Sequence, residues 1–433
     1  MKYEVKNQYF DYITDNSNEA DKNGAFVKTA QNAIYEKEAI KRGCKIVLNV
    51  FECFKILDIS PDLKVVGITG TNGKTTTAAA IYSILLDLDE KVGLQGTRGC
   101  FINDKCVEDK SLTTPSILHT LINMQKASKE GCSYFIMEVS SHAIAQNRIE
   151  GLKFALKVFT NISQDHLDFH KNMREYIDVK SAFFNDDTPK LINKDDENIR
   201  YNLKNVLTYG IEKPSTYQIT AYGLRDGIDM AVQYANKTYP FSSVLQGRFN
   251  LYNLLAAVSA VHILKKTHFD KINEALANFA GVSGRMEIVS LNPLVIVDFA
   301  HTPDGMEKVL EAMKENELVV VFGAGGDRDK LKRPIMGKIV EKYAKKIYIT
   351  SDNPRSEESS DIIEDIAQGI VREESVYKIV DRKEATIKAL ENLEAKEVLM
   401  VLGKGDETYQ EIKGIKYPYN DKEVIQTFLK AKN

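Results

Sequence analysis

The sequence predicts an α/β protein of three domains, and three observations lead to this fold class. From "LKVVGITG" at residue 63 onward, short β-branched runs alternate with helical stretches, a pattern typical of βαβ units on parallel sheets. After "GVSGRMEIV" the alternation starts again with "PLVIVDFAH", which indicates a second sheet. The chain has 433 residues, enough for roughly three domains of ~150 residues each.

The domain bounds follow from these changes in pattern. Residues 1–61 carry short, weakly patterned elements, too few for a large core, and are expected to form a small N-terminal α/β domain. Residues 62–283 should form a central domain with a P-loop-type parallel sheet, and residues 284–433 a Rossmann-like C-terminal α/β domain. Ligands of such sheets bind beyond the carboxyl ends of the strands, and the motifs below fall there.

Composition and charge exclude several kinds of partner. The net charge of −3 gives no bulk attraction to nucleic acid or to an anionic membrane. The N-terminus lacks the apolar core of a signal peptide, and no apolar run is long enough to span a bilayer. The five cysteines show no CxxC spacing, which fits free thiols. We therefore expect a cytoplasmic, monomeric protein with small-molecule substrates.

The stretch "VVGITGTNGKTTTAAA" predicts a buried strand, a glycine-rich turn and the start of a helix. Amide groups at such a helix start can bind phosphate, Lys74 would reach the β- and γ-phosphates, and the Thr75 hydroxyl would bind Mg²⁺. The strict phosphate-loop pattern fails at one place, where Ile68 replaces the first glycine. An ordinary strand–turn–helix corner is the alternative, but GKTTT after a buried strand favours ATP or GTP binding.

Carboxylates and histidines follow two further predicted strands. "FIMEVSSHAIAQNRI" places Glu138 at a strand end, where a carboxylate beside a phosphate loop suits Mg²⁺. "TNISQDHLDFH" supplies Asp165, His166, Asp168 and His170 directly after another strand. No cysteine and no HExxH pattern supports a zinc site here. Helix capping and loop hydrogen bonds remain an alternative role for these aspartates and histidines.

One lysine lies on the apolar side of a predicted amphipathic helix. In "HKNMREYIDVKSAFF", residues 170–184, Lys180 falls on the stripe formed by Met173, Tyr176, Ile177 and the two phenylalanines. Its ammonium group could extend to the helix edge and reach water. Alternatively it is buried, and a buried lysine is neutralised, paired or put to use.

These motifs, with "LQGRFNLYNLLAA", "GRMEIV", "VDFAHTPDGM" and "FGAGGDRDK", resemble the Mur ligases from about residue 65 to the C-terminus. Mur ligases are ATP-dependent enzymes that form amide bonds in peptidoglycan precursors, through an acyl phosphate. The family's phosphate loop departs from the strict pattern in the same way. The resemblance also implies that the C-terminal domain closes over the site.

The resemblance implies a role for each matching residue. The catalytic residues would be Lys74, Glu138, His166 and Lys180, with Lys180 carbamylated by carbon dioxide. Thr75 and Glu138 would bind the nucleotide's Mg²⁺, and Glu138, His166 and carbamylated Lys180 a second Mg²⁺. The ATP-binding residues would be Gly70, Thr71, Asn72, Gly73, Lys74, Thr75, Thr76, Asn253, Arg285 and Asp298.

Within the family, "LTTPS" and "TSDNPRSEE" are similar to the branch that adds meso-diaminopimelate to a UDP-muramoyl-dipeptide. The dipeptide would contact Ser17, Thr113, Thr114, Ser140, Gln146 and Arg148. Diaminopimelate would contact Arg328, Asp352, Asn353, Pro354, Arg355, Gly403 and Glu407. An arginine fork suits the distal carboxylate of this amino acid, although DNPR is also a common turn sequence. Relatives often have histidine where Asp406 stands.

Three alternative functions remain at this point. A related ligase could add L-lysine, and folylpolyglutamate synthase shares the phosphate loop and the amide-forming chemistry. A nucleotide-binding switch would bind ATP without forming an amide, but it would not need a second Mg²⁺.

Overall fold

The computed structural model describes residues 1–5, 7–109, 112–225, 227–372 and 374–432. Their three large sheets lie at residues 2–48, 64–243 and 287–402, one within each expected domain. The α/β fold class is confirmed, whereas the residues at which one domain gives way to the next stay a prediction. No helix among the described residues is both long and apolar enough to cross a membrane.

The N-terminal part is a four-stranded sheet with two short helices. Its elements are β1 (Lys2–Glu4), β2 (Tyr12–Thr14), β3 (Gly24–Val27), α1 (Glu36–Lys41), β4 (Ile46–Leu48) and α2 (Val50–Ile56). The sheet order is β1-β2-β3-β4, with only the β1–β2 pair antiparallel. Ile13 and Val27 share one apolar core with Leu118 and Leu121 of the central domain. This small sheet is therefore stabilised by burial against its neighbour.

The central domain is built on an 11-stranded sheet. Its first half contains β5 (Lys64–Thr69), α3 (Lys74–Asp87), β6 (Val92–Gly96), β7 (Gly99–Ile102), β8 (Lys105–Glu108), α4 (Ile117–Lys129), β9 (Tyr134–Glu138), α5 (Ser141–Ala145) and β10 (Phe154–Phe159). Its second half contains α6 (Met173–Ala182), β11 (Lys190–Asn193), β12 (Val206–Gly210), β13 (Tyr217–Gly223), β14 (Ile228–Tyr234), β15 (Lys237–Ser243), α7 (Arg248–Lys265) and α8 (Phe269–Ala277).

The central sheet contains the expected parallel strands around the phosphate loop, but as a whole it is mixed. The strand order is β15-β14-β13-β12-β11-β10-β5-β9-β6-β7-β8. The strands from β13 to β6 in this order run parallel, and antiparallel strands extend the sheet at both ends. Ala235 and Asn236 join β14 to β15 with φ of +48° and +62°, as in a two-residue type I′ hairpin. Such a short link leaves no room for a crossover helix.

The C-terminal domain has the expected Rossmann-like arrangement. Its elements are β16 (Glu287–Leu291), β17 (Leu294–Asp298), α9 (Pro303–Ala312), β18 (Glu317–Phe322), α10 (Lys332–Tyr343), β19 (Ala344–Ile349), α11 (Ser359–Ala367), β20 (Val376–Lys378), α12 (Arg382–Glu391), β21 (Glu397–Leu402), β22 (Tyr409–Ile412), β23 (Ile415–Pro418) and α13 (Asp421–Lys432). The six-stranded sheet has the order β16-β17-β21-β18-β19-β20, and only β16 is antiparallel to its neighbour. Apolar clusters cover both of its faces.

Candidate active site

The carboxyl ends of β9, β5 and β10 meet at one edge of the central sheet, because these parallel strands are neighbours. The phosphate loop follows β5, Glu138 ends β9, and residues 160–170 follow β10. Ile68, where the strict pattern has glycine, is buried in β5 and lies opposite Glu138 in the strand register. The strand therefore continues through this position, and the loop begins after Thr69.

Two glycines of the phosphate loop are required by the close approach of neighbouring groups. Gly70 and Gly73 have φ of +153° and +85°. A Cβ atom at Gly70 would collide with the Thr160 hydroxyl, and one at Gly73 would collide with the Asn253 side-chain oxygen. Since α3 begins at Lys74, the first amide groups of this helix are free to bind phosphate beside the loop.

The side chain of Lys74 folds back onto the phosphate loop. Its Nζ donates to the carbonyl oxygens of Gly70 and Thr71, each at 2.9 Å. Burial lowers the pKa of Lys74, whereas the negative charges of Glu138 and Asp165 act to raise it. The amine is therefore held against the main chain of the loop.

Lys180 is buried, so the alternative in which its ammonium group extends to water was wrong. The residue is 1% exposed, and its Nζ donates to the Gly70 carbonyl oxygen at 2.9 Å. On the same helix, the Tyr176 hydroxyl lies 3.0 Å from Thr71 Oγ1, which fastens α6 to the phosphate loop. Burial, together with the nearby charge of Lys74, keeps the pKa of Lys180 well below its ordinary value. The environment thus favours a neutral amine at Lys180.

Glu138 is a buried carboxylate that joins three groups. Its Oε2 accepts a hydrogen bond from Thr75 Oγ1 at 3.0 Å, so the two predicted ligands of the nucleotide's metal are in contact. Its Oε1 accepts from the Thr97 amide at 2.9 Å, and the Thr97 hydroxyl donates to Oε2 at 3.3 Å. No sequence pattern indicated Thr97, which lies between β6 and β7.

The histidines after β10 and on α5 form an aromatic cluster. The ring of His142 lies 4.8 Å from that of His166, and His166 Nε2 is 3.2 Å from Asp165 Oδ2. His170 Nε2 lies 3.0 Å from Ser141 Oγ. Burial lowers the pKa of His166 and outweighs the opposing effect of Asp165, which leaves a neutral imidazole.

The donor set of the predicted metal site fits Mg²⁺ in its chemistry. Thr75 and Glu138 offer oxygen atoms, which Mg²⁺ prefers, and His166 offers a neutral nitrogen. Among the described residues, Glu138, His166 and Lys180 form no hydrogen bond with one another, and each has a different partner. An unmodified lysine amine is not an oxygen ligand, so Lys180 fits this set only after conversion to a carbamate.

A cavity of about 910 Å³ lies between the central and C-terminal domains. Residues from the predicted ATP-binding set line it: Asn72, Gly73, Thr76, Asn253, Arg285 and Asp298. The guanidinium of Arg285 lies 4.3 Å from the centre of the Phe299 ring. Asp298 is buried and accepts hydrogen bonds from the amides of Met286 and Ala300, both at 2.6 Å. The cavity therefore has the phosphate loop on one side and the C-terminal domain on the other, the position expected for a nucleotide site.

Asp304 of α9 ties the C-terminal domain to the phosphate loop. Its Oδ2 accepts hydrogen bonds from Asn72 Nδ2 at 2.8 Å and from Ser163 Oγ at 3.1 Å. Lys308, one turn further along α9, donates to the same oxygen at 2.8 Å. No sequence pattern indicated this contact, since it depends on how two domains dock.

Most of the predicted dipeptide-binding residues lie together. Arg148 donates through Nη1 to the Thr114 carbonyl at 2.9 Å and through Nη2 to Gln146 Oε1. The Thr114 hydroxyl accepts from the Ser140 amide at 3.0 Å, and Thr113 Oγ1 lies 3.1 Å from Thr97 Oγ1.

The N-terminal domain borders this group through other residues. Ser116 Oγ donates to Asp15 Oδ2 at 2.9 Å, and Gln31 Nε2 is 3.4 Å from Gln146 Oε1. Ser17 is buried in a short 3₁₀ turn and makes no side-chain hydrogen bond to the other predicted dipeptide-binding residues. The contact of Ser17 with the UDP-muramoyl-dipeptide stays a prediction.

The residues predicted to bind the amino acid follow β19 and β21. Asn353 Nδ2 donates to Glu407 Oε2 at 3.0 Å, and Asp352 packs against Gly403, where a Cβ would lie 2.7 Å from Asp352 Oδ2. Fully buried Lys404 donates to Glu407 Oε2 at 2.7 Å and to Asn353 Oδ1 at 3.1 Å. Sequence reasoning missed Lys404, although it stands directly between the predicted Gly403 and Glu407.

Arg328 and Arg355 approach each other across Gly325. A Cβ at Gly325 would lie 3.0 Å from Arg355 Nη1 and 3.7 Å from Arg328 Cγ. Arg355, at φ +51° after Pro354, donates through Nη1 to the Gly326 carbonyl at 2.6 Å. Arg328 Nη1 donates to Asp168 Oδ2 of the central domain at 3.3 Å. Arg328 therefore lies where the C-terminal domain meets the segment after β10. Arg355, which pairs with Glu411 at 3.7 Å, is its neighbour across Gly325.

The fold and the site define the class of phosphate-loop α/β proteins, here with a cavity between two domains. Residues 68–261 match the family model described as the Mur ligase middle domain, and residues 284–405 match that of the Mur ligase, glutamate ligase domain. The chain belongs to the Mur ligase family.

Relatives in this family are similar over nearly the whole chain. A UDP-N-acetylmuramoyl-L-alanyl-D-glutamate–2,6-diaminopimelate ligase from Wolinella succinogenes is 51% identical over 419 residues, covering 97% of this chain and 96% of the relative. The ligase of the same name from Helicobacter pylori is 46% identical over 430 residues, covering 97% and 96%.

Solved structures agree with this assignment. A structure of UDP-N-acetylmuramoyl-L-alanyl-D-glutamate–2,6-diaminopimelate ligase has a TM-score of 0.67 at 26% identity, covering 99% of this chain and 97% of that one. A Mycobacterium tuberculosis folylpolyglutamate synthase complexed with ADP has a TM-score of 0.68 at 16% identity, covering 88% and 93%. The second likeness shows a shared fold alone.

Proposed function

We propose that this protein is the ATP-dependent ligase that joins meso-diaminopimelate to UDP-N-acetylmuramoyl-L-alanyl-D-glutamate in peptidoglycan synthesis. The observation that carries the proposal is the similarity, at 46–51% identity over nearly the whole chain, to relatives that are named for this reaction. The clustering of Asp352, Asn353, Gly403 and Glu407 beyond β19 and β21 supports the choice of a site for the amino acid there.

The reaction proceeds in two steps that each exchange one bond. A carboxylate oxygen of the D-glutamate attacks the γ-phosphorus of ATP, so that an acyl phosphate forms and ADP leaves. The amine of diaminopimelate then attacks the acyl carbon, an amide forms, and inorganic phosphate and a proton leave. Phosphorylation is needed because an unmodified carboxylate has no adequate leaving group.

The phosphate loop would supply most of the charge stabilisation in the first step. Lys74, now bound to the carbonyls of Gly70 and Thr71, would turn to the β- and γ-phosphates of ATP. The amides at the start of α3 would bind phosphate oxygens. In phosphoryl transfer such positioning and electrostatic stabilisation account for nearly all of the catalysis.

Thr75, Glu138, His166 and Lys180 are proposed to hold Mg²⁺, which neutralises charge on the transferring phosphoryl group. For Lys180 this requires carbamylation: its neutral amine attacks carbon dioxide, a carbon–nitrogen bond forms, and one proton leaves. The burial of Lys180 supports the step, because its lowered pKa makes the neutral amine available.

The amino acid would be bound between the loops after β19 and β21. Arg355 and Arg328 offer guanidinium groups for the distal carboxylate of diaminopimelate, and Glu407 offers a carboxylate for its distal amine. L-Lysine lacks the distal carboxylate. The arginine pair therefore favours diaminopimelate over lysine as the substrate.

Arg355→Lys is expected to weaken diaminopimelate use more than ATP use. A lysine cannot form the two parallel hydrogen bonds of a guanidinium, so we expect the KM for diaminopimelate to rise about tenfold, as for the loss of one charged hydrogen bond of ~1.5 kcal/mol. The KM for ATP should stay within about twofold, since Arg355 lies outside the ATP cavity.

Arg372→Lys is the matched control, because Arg372 also donates to a main-chain carbonyl in the C-terminal domain but lies outside the site. Steady-state kinetics with each substrate varied in turn would provide the measurement. Unchanged kinetics with diaminopimelate in Arg355→Lys would remove Arg355 from the amino-acid site.

The proposed function is tested by phosphate release from purified protein. With ATP, UDP-muramoyl-L-Ala-D-Glu and meso-diaminopimelate together, the protein should release phosphate and yield a tripeptide product. Omission of either the dipeptide or diaminopimelate should abolish phosphate release. Equal rates with L-lysine would favour the lysine-adding alternative, and activity with folates would favour the folylpolyglutamate alternative. Nucleotide binding without acceptor-dependent turnover would indicate a switch.

We also propose that the enzyme acts as a monomer in the cytoplasm. All five cysteines are free in the structure, which supports a reducing compartment. Size measurement in solution and cell fractionation would test these two statements.

A further inference from the structure

The turn between β6 and β7 contacts two parts of the proposed site at once. The amide of Thr97 donates to Glu138 Oε1 at 2.9 Å, and its hydroxyl lies 3.1 Å from the hydroxyl of Thr113. Glu138 belongs to the proposed metal site and Thr113 to the proposed dipeptide site. The backbone of this turn is therefore fixed relative to both sites.

The next residue of the turn, Arg98, reaches across to the C-terminal domain. Its Nε donates to Asp406 Oδ2 at 3.1 Å. Asp406 directly precedes Glu407, whose carboxylate accepts from Asn353 and Lys404. Through one ion pair, Arg98 thus connects the turn at Glu138 with the segment Gly403–Glu407, which we call the amino-acid loop.

The same arginine borders the segment that joins the two domains. A cavity of about 280 Å³ is lined by Arg98, Thr75 and Glu138 together with residues 278–282, which lead from α8 into the C-terminal domain. At the start of that domain, a Cβ at Gly284 would collide with the backbone of Asp406. The Arg98–Asp406 pair therefore lies beside the connection about which the two domains would move.

We propose that Arg98 is a positioning residue: it holds the amino-acid loop in a fixed position relative to Glu138 and thereby sets the affinity for the incoming amino acid. The inference rests on the proposed function and deepens it. It assigns the interdomain ion pair a specific consequence: productive binding of diaminopimelate requires the amino-acid loop to be docked, whereas the two sides of the ATP cavity are held together separately by the contact of Asp304 with Asn72. Arg98 touches no reacting atom in this scheme.

An ordinary surface ion pair is the alternative. The side chains of Arg98 and Asp406 are 37% and 21% exposed, and pairs of this exposure contribute little to the stability of a single domain. A pair that bridges two domains acts differently from one within a domain, because it stabilises only the arrangement in which the two domains are docked. Its loss therefore lowers the population that binds the amino acid.

The test is a double-mutant cycle with Arg98→Ala, Asp406→Ala and the double variant. Each single variant should raise the KM for diaminopimelate about threefold, the size expected for one partly exposed ion pair, with the KM for ATP unchanged. The double variant should be no worse than Asp406→Ala alone, because that substitution already breaks the pair. Added salt should shrink the difference from the unchanged protein, since it screens the pair.

Lys378→Ala serves as the control, since Lys378 pairs with Glu364 within the C-terminal domain and its side chain is about as exposed as that of Arg98. It should leave both KM values unchanged. Should an alanine variant fail to fold, Arg98→Gln in its place keeps a polar side chain and removes the charge.

The inference is overturned if the KM for diaminopimelate does not change in the single variants, or if the effects of the two substitutions multiply in the double variant. An equal rise in both KM values would also overturn it, because that indicates a general structural role. Failure of the unchanged protein to release phosphate with diaminopimelate would instead contradict the proposed function, so the two failures are distinguishable.

Discussion

Lys180→Ala is expected to lower kcat by about 100-fold or more, the scale of losing one preorganised group that stabilises transition-state charge. The variant removes the proposed carbamate and leaves no replacement ligand beside the phosphate loop. It also removes the hydrogen bond to the Gly70 carbonyl, which Lys74 still satisfies. The loop should therefore remain folded, and the loss should fall on catalysis. Steady-state phosphate release would measure it.

Short-chain carboxylic acids should partly restore the activity of Lys180→Ala, because a free carboxylate can occupy the space of the missing carbamate. Lys190→Ala is the matched control: Lys190 is also fully buried and donates to main-chain carbonyls, but it belongs to β11 and has no proposed catalytic role. Carboxylic acids should not affect that variant. Full activity of Lys180→Ala without additives would eliminate the carbamate assignment.

Asp421→Asn is expected to destabilise the C-terminal domain by about 3 kcal/mol or more, the usual cost of leaving a buried charge without its partner. Arg382 and Asp421 are both fully buried, and Arg382 donates through Nε and Nη2 to the two carboxylate oxygens at 2.9 Å each. Arg382 Nη2 also donates to the Leu402 carbonyl at 2.9 Å. The pair thus supports the strand end from which the amino-acid loop starts.

Thermal unfolding would measure the loss for Asp421→Asn, with Glu364→Gln as an exposed control expected to change the free energy of unfolding by less than about 0.5 kcal/mol. A double variant, Arg382→Met with Asp421→Leu, should recover part of the lost stability, because two apolar side chains leave no uncompensated charge. Equal stability of Asp421→Asn and the unchanged protein would show that Arg382 finds another counter-charge.

The sequence predicts those parts of the site that depend on local pattern. The phosphate loop and the contact of Thr75 with Glu138 follow from strand ends that meet at one sheet edge, and the helix that carries Lys180 follows from its apolar stripe. The antiparallel strands β14 and β15 escaped prediction, because short β-branched runs look alike in either direction. The two-residue link of Ala235 and Asn236 makes β14 and β15 antiparallel, but its backbone conformation is visible only in the structure.

Contacts between domains could not be predicted from local pattern. Asp304 binds Asn72, and Arg98 binds Asp406, across 232 and 308 residues of chain. Each pair joins ordinary surface residue types, and no spacing in the sequence marks them. The position of Lys180 lay between these cases: the helical stripe identified the face, but whether the side chain was buried depended on the phosphate loop packed against it.

The apolar core shared by the first sheet and the central domain limits how this enzyme can be recombined with its relatives. A chimera that exchanged only residues 1–61 would set Ile13 and Val27 against a foreign surface while stripping the cover from Leu118 and Leu121. A chimera meant to transfer the precursor specificity of a relative would thus need to exchange α4 together with the first sheet. Evolution faces the same constraint, so these two segments should change in concert.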